Sequence, residues 1–299
     1  MNYLLHLSIY LSMYGIVAMS LNLAIGYCGL LTLAHASYFA IGSYVYALIT
    51  LKLGWDFLPA MLLGVLISAV LSLVISLPAG RFRGDFFVMV SLAVQTLLFS
   101  LFYNWTSTGA EPGTLQNLTN GPFGLSGIAK PKILGWQLQS IESIAVLAIL
   151  LLAICAGICW LLVSSPWGRL LKVMRDDELA AKGLGKNTQL VKIQAFAISC
   201  GMAAVAGTIY AAYVSYIDPS TASLDESVLM VCMVLVGGVG NFRGPLVGAL
   251  LLVLIPELLR FAAIPDAIAA NLRLILYGVL LVVMMHVRPQ GIAGDYRID

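Results

Sequence analysis

The chain has 299 residues, 61% of them hydrophobic and only 10% charged, with a net charge of +2 and a mean hydropathy of +0.97. A soluble globular domain carries roughly 25% charged residues, so composition excludes that class. The apolar runs are continuous rather than alternating, which excludes a closed β-barrel and leaves an all-α, polytopic integral membrane protein, a single transmembrane domain over residues 1–299.

Runs of about 20 apolar residues, the length that crosses a bilayer as a helix, are bounded by turn residues and predict about nine transmembrane or re-entrant helices. The first covers about 4–25 and breaks at Gly26-Tyr-Cys-Gly29, and the second follows at about 30–53. The third, about 58–79, stops at Gly80-Arg-Phe-Arg-Gly84, and the fourth covers about 86–103. A polar loop over about 104–139, rich in Gly, Pro, Asn and Thr, separates it from the fifth at about 141–163. A charged stretch over about 164–192 precedes the sixth, at about 193–216. The seventh, about 227–236, is too short to span unaided and meets Gly237-Gly-Val-Gly240; the eighth and ninth lie at about 246–263 and 272–287. The N-terminus lacks a basic segment ahead of its apolar run, so no cleaved leader is expected there.

The charged stretch is the strongest single feature. Nine charged residues crowd between Arg169 and Lys192 in a chain that is otherwise nearly all hydrocarbon. Positive charge favours the cytoplasmic side of a membrane. Placing the stretch there and alternating the spans puts Arg81, Arg83, Arg243, Arg288 and Arg297 on the same side, against Lys52, Lys130 and Lys132 outside. The N-terminus then lies outside and the C-terminus inside. Within the stretch, an amphipathic turn carries Arg169, Lys172 and Arg175. Asp176 and Asp177 suit the start of a short helix beginning near Glu178, since acids cap helix N-termini. Leu179, Ala180 and Ala181 propagate it, and Gly183 and Gly185 end it. One reading is a solvated loop that anchors topology; the sharper one is a docking helix for a cytoplasmic motor.

No catalytic constellation is present. His6, His35 and His286 are scattered, and the five cysteines sit in apolar surroundings without metal-ligand spacing, as packing residues. Gly183-Leu-Gly-Lys-Asn187 lacks both the upstream glycine and the hydroxyl residue of a phosphate loop. Uphill transport therefore needs an energy source outside this chain, either another subunit or an ion gradient. An ion-coupled secondary transporter of small neutral solutes is the alternative class, with Glu257 as its one candidate carboxylate.

Glycines give a second signal. Gly240, Gly244 and Gly248 recur every four residues and place small residues on one helix face, allowing close helix approach. Gly237, Gly238 and Gly240, and Gly26, Gly29 and Gly42 nearer the N-terminus, suggest broken elements beside a translocation path. Asn22, His35 and Gln95 are polar residues inside spans, read as interhelical hydrogen bonders or lining groups. Glu257 is placed to pair with Arg260, one turn on, or with Arg273 on the next span.

Several of these segments resemble one family. They are Ser20-Leu-Asn-Leu23, Gly29-Leu-Leu-Thr-Leu-Ala-His-Ala-Ser-Tyr-Phe-Ala-Ile-Gly-Ser-Tyr44, Arg81-Phe-Arg-Gly-Asp-Phe-Phe87, Gly121-Pro-Phe-Gly-Leu125, Trp167 through Ala181, Leu235 through Pro245, Pro256-Glu-Leu-Leu-Arg260 and Arg288-Pro-Gln-Gly291. Together they resemble the branched-chain amino-acid ABC importer permeases, of the LivM type rather than the LivH type. The resemblance implies a multi-pass subunit of the bacterial inner membrane, embedded in lipid, that binds no cofactor and no nucleic acid itself. It implies a second LivH-type permease, two cytoplasmic ATP-binding subunits holding ATP and Mg, and an extracytoplasmic substrate-binding protein. The charged stretch then corresponds to the segment that seats in the ATPase.

Overall fold

A computed structural model of the chain describes residues 2–79, 85–133, 135–261, 266–288 and 290–294. Arg81, Arg83 and Arg297, and the side chain of Arg260, lie outside the described residues. Helix α1 (Asn2–Asn22) runs on into a π-helical turn, Leu23–Tyr27. Then come α2 (His35–Leu53), α3 (Phe57–Ala79), α4 (Asp85–Asn104) and α5 (Ile141–Ser164). The charged stretch forms two short helices, α6 (Pro166–Asp176) and α7 (Glu178–Gly183). The remainder is α8 (Thr188–Val214), α9 (Leu224–Gly237), α10 (Gly244–Phe261) and α11 (Asp266–Val287). Six of the described helices are long and apolar enough to cross a membrane; α9 is shorter, and the apolar parts of α10 and α11 are short as well.

The helix boundaries follow from local chemistry. Ser140 caps α5 by accepting from the Ser143 amide, Ser165 caps α6 with Pro166 at its first position, and Asn187 caps α8 by accepting from Leu190. Such side-chain caps supply an acceptor to amides that have no partner within the helix. Helix α8 is the axis of the fold, with 78% of its apolar window buried, against 22% for α4 and 28% for α5 at the lipid-facing rim. It packs on α1, α2 and α3. The α2–α8 approach is close because a Cβ on Gly42 would collide with the backbone of Ala204. Ser43 then donates from Oγ to the Gly207 carbonyl at 2.7 Å.

Two segments fold back between helices. Residues 28–34 return from the π-turn to the start of α2, and residues 215–223 return from α8 to the start of α9. The latter pairs with the long loop through a two-residue antiparallel ladder, Leu125 opposite Ile217 and Ser126 opposite Tyr216. The five cysteines are free and buried.

Candidate functional site

The charged helices attach to the membrane helices through their buried side. Gly168, Leu171 and Met174 of α6 are buried, and Arg175, with 11% of its side chain exposed, turns inward. Its Nη1 donates to the Gly26 carbonyl at 2.5 Å, while Nε donates to Asp176 at 3.0 Å. Lys172 lies over the Tyr27 ring, 5.5 Å from its centroid. The α6 helix is therefore fastened to the π-turn of α1, where the widened backbone presents its carbonyls. Gly29, at φ +73°, lets the chain pass directly against the Arg175 side chain.

Two residues beyond Arg175, Asp177 caps α7, accepting from the amides of Leu179 and Ala180 at 2.9 and 3.0 Å. Asp176 does not share this cap; it closes α6. Glu178 ties α7 to α8, accepting from Thr188 Oγ1 at 3.0 Å, Lys192 Nζ at 2.8 Å and Lys182 Nζ at 3.0 Å. Partial burial alone would raise its pKa, but the bonds from Lys192, Lys182 and Thr188 outweigh that and hold it at about 2. Ala181 is buried beneath, and Gly185 leaves the helix at φ +72°. The outward face carries Arg169 and Asp177 with exposed Leu179 and Leu184.

A second junction joins α1 to the α9–α10 turn. Asn22 Nδ2 donates to the Asn241 carbonyl at 2.9 Å, and its Oδ1 accepts from the Gly240 amide at 3.0 Å. Gly240 belongs to this turn, at φ +77°, and not to the face of α10, so the four-residue glycine spacing is carried by Gly244 and Gly248 alone. These two lie against Gly237, Gly238 and the Met233 carbonyl of α9 so closely that a Cβ on Gly237, Gly244 or Gly248 would strike the facing backbone, while one on Gly238 would strike Gly294. The expected break at Gly237 and Gly238 is thus a tight helix hairpin; the segments that fold back between helices are those at 28–34 and 215–223.

Those two segments meet deep in the bundle. Gln95, midway along α4, accepts through Oε1 from the Ser37 hydroxyl at 2.6 Å and from the Ser37 amide at 3.3 Å. Its Nε2 donates to the carbonyls of Ala222 and Ser223. Ser227 Oγ accepts from the Ala36 amide at 3.1 Å. The start of α2, which has no cap of its own, is thereby satisfied by α4 and α9. His35 is wholly buried there, with Nε2 2.8 Å from Ser20 Oγ. Because the Ser20 hydroxyl donates to Val17, the histidine Nε2 carries the proton toward it.

At the opposite end, beside the long loop, a cavity of about 1130 Å³ lies among α1, α5, α8, α9, α10 and α11. Glu257 lines it and accepts a hydrogen bond from the Tyr3 hydroxyl rather than from Arg273. Arg273 also lines it, with its Nε buried and lacking a partner. Sequence reading named both residues but not the cavity, nor Asp225 and Glu226 in its wall. Among the described residues no group of His, Cys, Asp and Glu is placed to hold a metal ion.

The fold and these junctions define a polytopic helical membrane domain whose charged stretch is bonded to its core. The family of branched-chain amino acid transport system permease components matches residues 3–285, and the chain belongs to that family. It is 30% identical to the high-affinity branched-chain amino acid transport system permease protein LivM of Salmonella typhimurium, over 93% of this chain and 67% of that protein. It is also 30% identical to the autoinducer 2 import system permease protein LsrC of Salmonella paratyphi B, over 74% of this chain and 66% of that one. Among solved structures, an ABC transporter of metal-chelate type in an inward-facing conformation shares the fold, with a TM-score of 0.50 and 18% identity over 94% of this chain and 85% of that one.

Proposed function

We propose that the chain is the permease subunit of an ATP-driven importer for branched-chain or other neutral amino acids in the inner membrane. In this reading it works with a second, LivH-type permease, two cytoplasmic ATP-binding subunits that hold ATP and Mg, and an extracytoplasmic binding protein. The family description and the LivM relative, both named for branched-chain amino acid transport, support the solute class. The observation that carries the mechanical part is the two-sidedness of α6 and α7. Their outer face offers apolar Leu179 and Leu184, 63% and 75% exposed, among charges. Their inner face is locked to α1 by Arg175 and to α8 by Glu178.

Such an arrangement transmits displacement. Movement of α6 by a motor pulls on the Gly26 carbonyl of the π-turn. Asn22, on the same helix end, carries that movement to the α9–α10 turn. The residues just ahead of α9, Ala222 and Ser223, are bonded to Gln95, so a tilt of α9 disturbs the junction deep in the bundle. A packed interior passes movement on because it is bistable rather than soft. The motor burns the ATP; this chain supplies the lever and the passage.

The test is uptake of a labelled panel of neutral amino acids by cells lacking the chain and complemented with it, alongside copurification of the ATP-binding subunits. Replacing both Leu179 and Leu184 by Asp is expected to leave the chain in the membrane, to release the ATP-binding subunits and to abolish uptake. Undiminished copurification with normal uptake removes the docking assignment.

A further inference from the structure

The cavity at the loop end has the wrong chemistry for a simple packing defect. Voids that stay empty in proteins are lined by apolar groups, whereas this one collects charges of both signs on a wall of phenol rings. Tyr3, Tyr10 and Tyr14 follow one another down one face of α1. At 1.5 Å rise per residue they mark a depth of about 16 Å. Opposite them stand Arg273 and Tyr277, one turn apart on α11, and Glu226 in the first turn of α9.

The charged groups are held apart rather than neutralised by one another. Glu226 and Tyr14 share the cavity wall, and Glu257 takes a hydrogen bond from the Tyr3 hydroxyl. Arg273 Nε is buried with no acceptor. Tyr277, one turn from Arg273, lines the same cavity as Glu226. Leaving a guanidinium N–H without an acceptor is destabilising, and ionisable groups inside a membrane protein mark solute pathways. A ligand bearing a carboxylate and an ammonium on one carbon satisfies both ends at once. Arg offers a carboxylate two parallel N–H groups. Glu226 receives an ammonium, whose charge is also favoured by nearby aromatic faces. The volume, somewhat above the ordinary range of ligand pockets, leaves room along Tyr10 and Leu229 for an apolar side chain.

We propose that this cavity, formed within the single chain, is a receiving site for the zwitterionic head of a neutral amino acid, with Arg273 on its carboxylate and Glu226 on its ammonium. The assignment rests on the importer reading, and it adds that the permease itself discriminates its solute chemically and is more than a passive slot beneath a selective binding protein. Lys130 and Gln139 of the long loop stand at the mouth, where a binding protein would release its cargo.

The test is equilibrium binding of radiolabelled leucine to the detergent-purified complex of this chain with its partner permease and ATP-binding subunits, without the binding protein. Saturable binding is expected. Unlabelled leucine displaces it, whereas 3-methylbutylamine, lacking the carboxylate, and 4-methylpentanoate, lacking the ammonium, are each expected to be at least about 10-fold weaker, the factor that one lost charged contact produces. Arg273→Gln and Glu226→Gln are each expected to weaken leucine binding by about the same factor at an unchanged yield of assembled complex. If either variant fails to assemble, displacement from the unaltered complex decides alone. Absence of saturable binding, displacement by either analogue as effective as by leucine itself, or variants that bind as the unaltered chain does each overturn the site. If binding fails while cells bearing the unaltered chain take up leucine, only the site falls. If those cells take up no neutral amino acid, the solute class falls with it.

Discussion

The two ends of the molecule treat their polar groups in opposite ways. At the end carrying α6 and α7, the strongly polar groups are consumed: Arg175 is bonded to Gly26, Glu178 to Lys182, Thr188 and Lys192, and Asn22 to the α9–α10 turn. At the loop end a guanidinium nitrogen has no partner, and Asp225, Glu226 and Glu257 face open volume. The contrast separates two tasks that any driven permease must combine. A lever needs its bonds made and its helices in contact, since slack absorbs movement. A solute site needs bonds left to be made, since a satisfied group has nothing to offer a ligand.

The largest effect expected from this contrast is one of volume. Gly248→Leu drives a side chain into the Met233 carbonyl at the α9–α10 hairpin. Overpacking costs about 1–3 kcal/mol where side chains can yield, and here the obstacle is backbone. Recovery of folded protein in mild detergent should fall severalfold or more. Leu229→Phe adds volume on the wall of the cavity and should leave recovery near normal. Equal losses from the two substitutions would show that the ends do not differ in packing as argued.

A smaller effect tests whether the tie from α6 is mechanical. Arg175→Ala removes a hydrogen bond from a charged donor, worth about 1.5–3 kcal/mol, without touching the outward face with Leu179 and Leu184. Uptake is expected to fall about 10-fold, the equivalent of 1.4 kcal/mol, while the ATP-binding subunits still copurify. Loss of copurification in step with uptake would place Arg175 on the docking surface and break the distinction between the inner and outer faces of α6.

These distinctions show where the sequence was readable. Helix positions were legible because continuous hydrocarbon and turn residues are local signals, and Asp177 was legible as a cap because capping is a relation between residues two and three apart. The start of α9 at Leu224, ahead of the apolar run, was less so, because Ser223 caps a first turn that contains Asp225 and Glu226. The inward turn of Arg175 and Glu178 was hidden, since a basic or acidic residue in a charged run looks the same whichever way it points. Gln95 stood out as polar within a span, but its partners at residues 37, 222 and 223 are set by the meeting of two folded-back segments. The cavity is assembled from six helices, and no window of sequence contains it. Gly240 was misleading for the opposite reason: a four-residue spacing on paper continued past the helix start into a turn.

The smallest effect concerns the second tie, and pH sharpens it. The Glu178 carboxyl is held at about 2 in the folded chain, against an ordinary value of 4.5. A depressed folded-state pKa stabilises the folded form fully above the unfolded value, and that stabilisation fades as pH falls through 4.5 toward 2. Glu178→Gln keeps the shape of the side chain and removes the charge. The stability lost in this variant should therefore be constant between pH 6 and 8 and should shrink below about pH 4.5, vanishing as the native carboxyl itself protonates. Thermal unfolding of the two proteins in the same detergent, compared across that range, reads the difference directly. The mutant deficit should also weaken in high salt only slightly, because Lys192 and Glu178 are both largely shielded from solvent, with side chains 14% and 16% exposed, and screening acts mainly on exposed charges. A deficit that grows on acidification has the wrong sign for a carboxylate tied to lysines. It would mean that the α7–α8 junction is held by something other than this ion pair, and the end of the molecule read as fully bonded would then share the open character of the other.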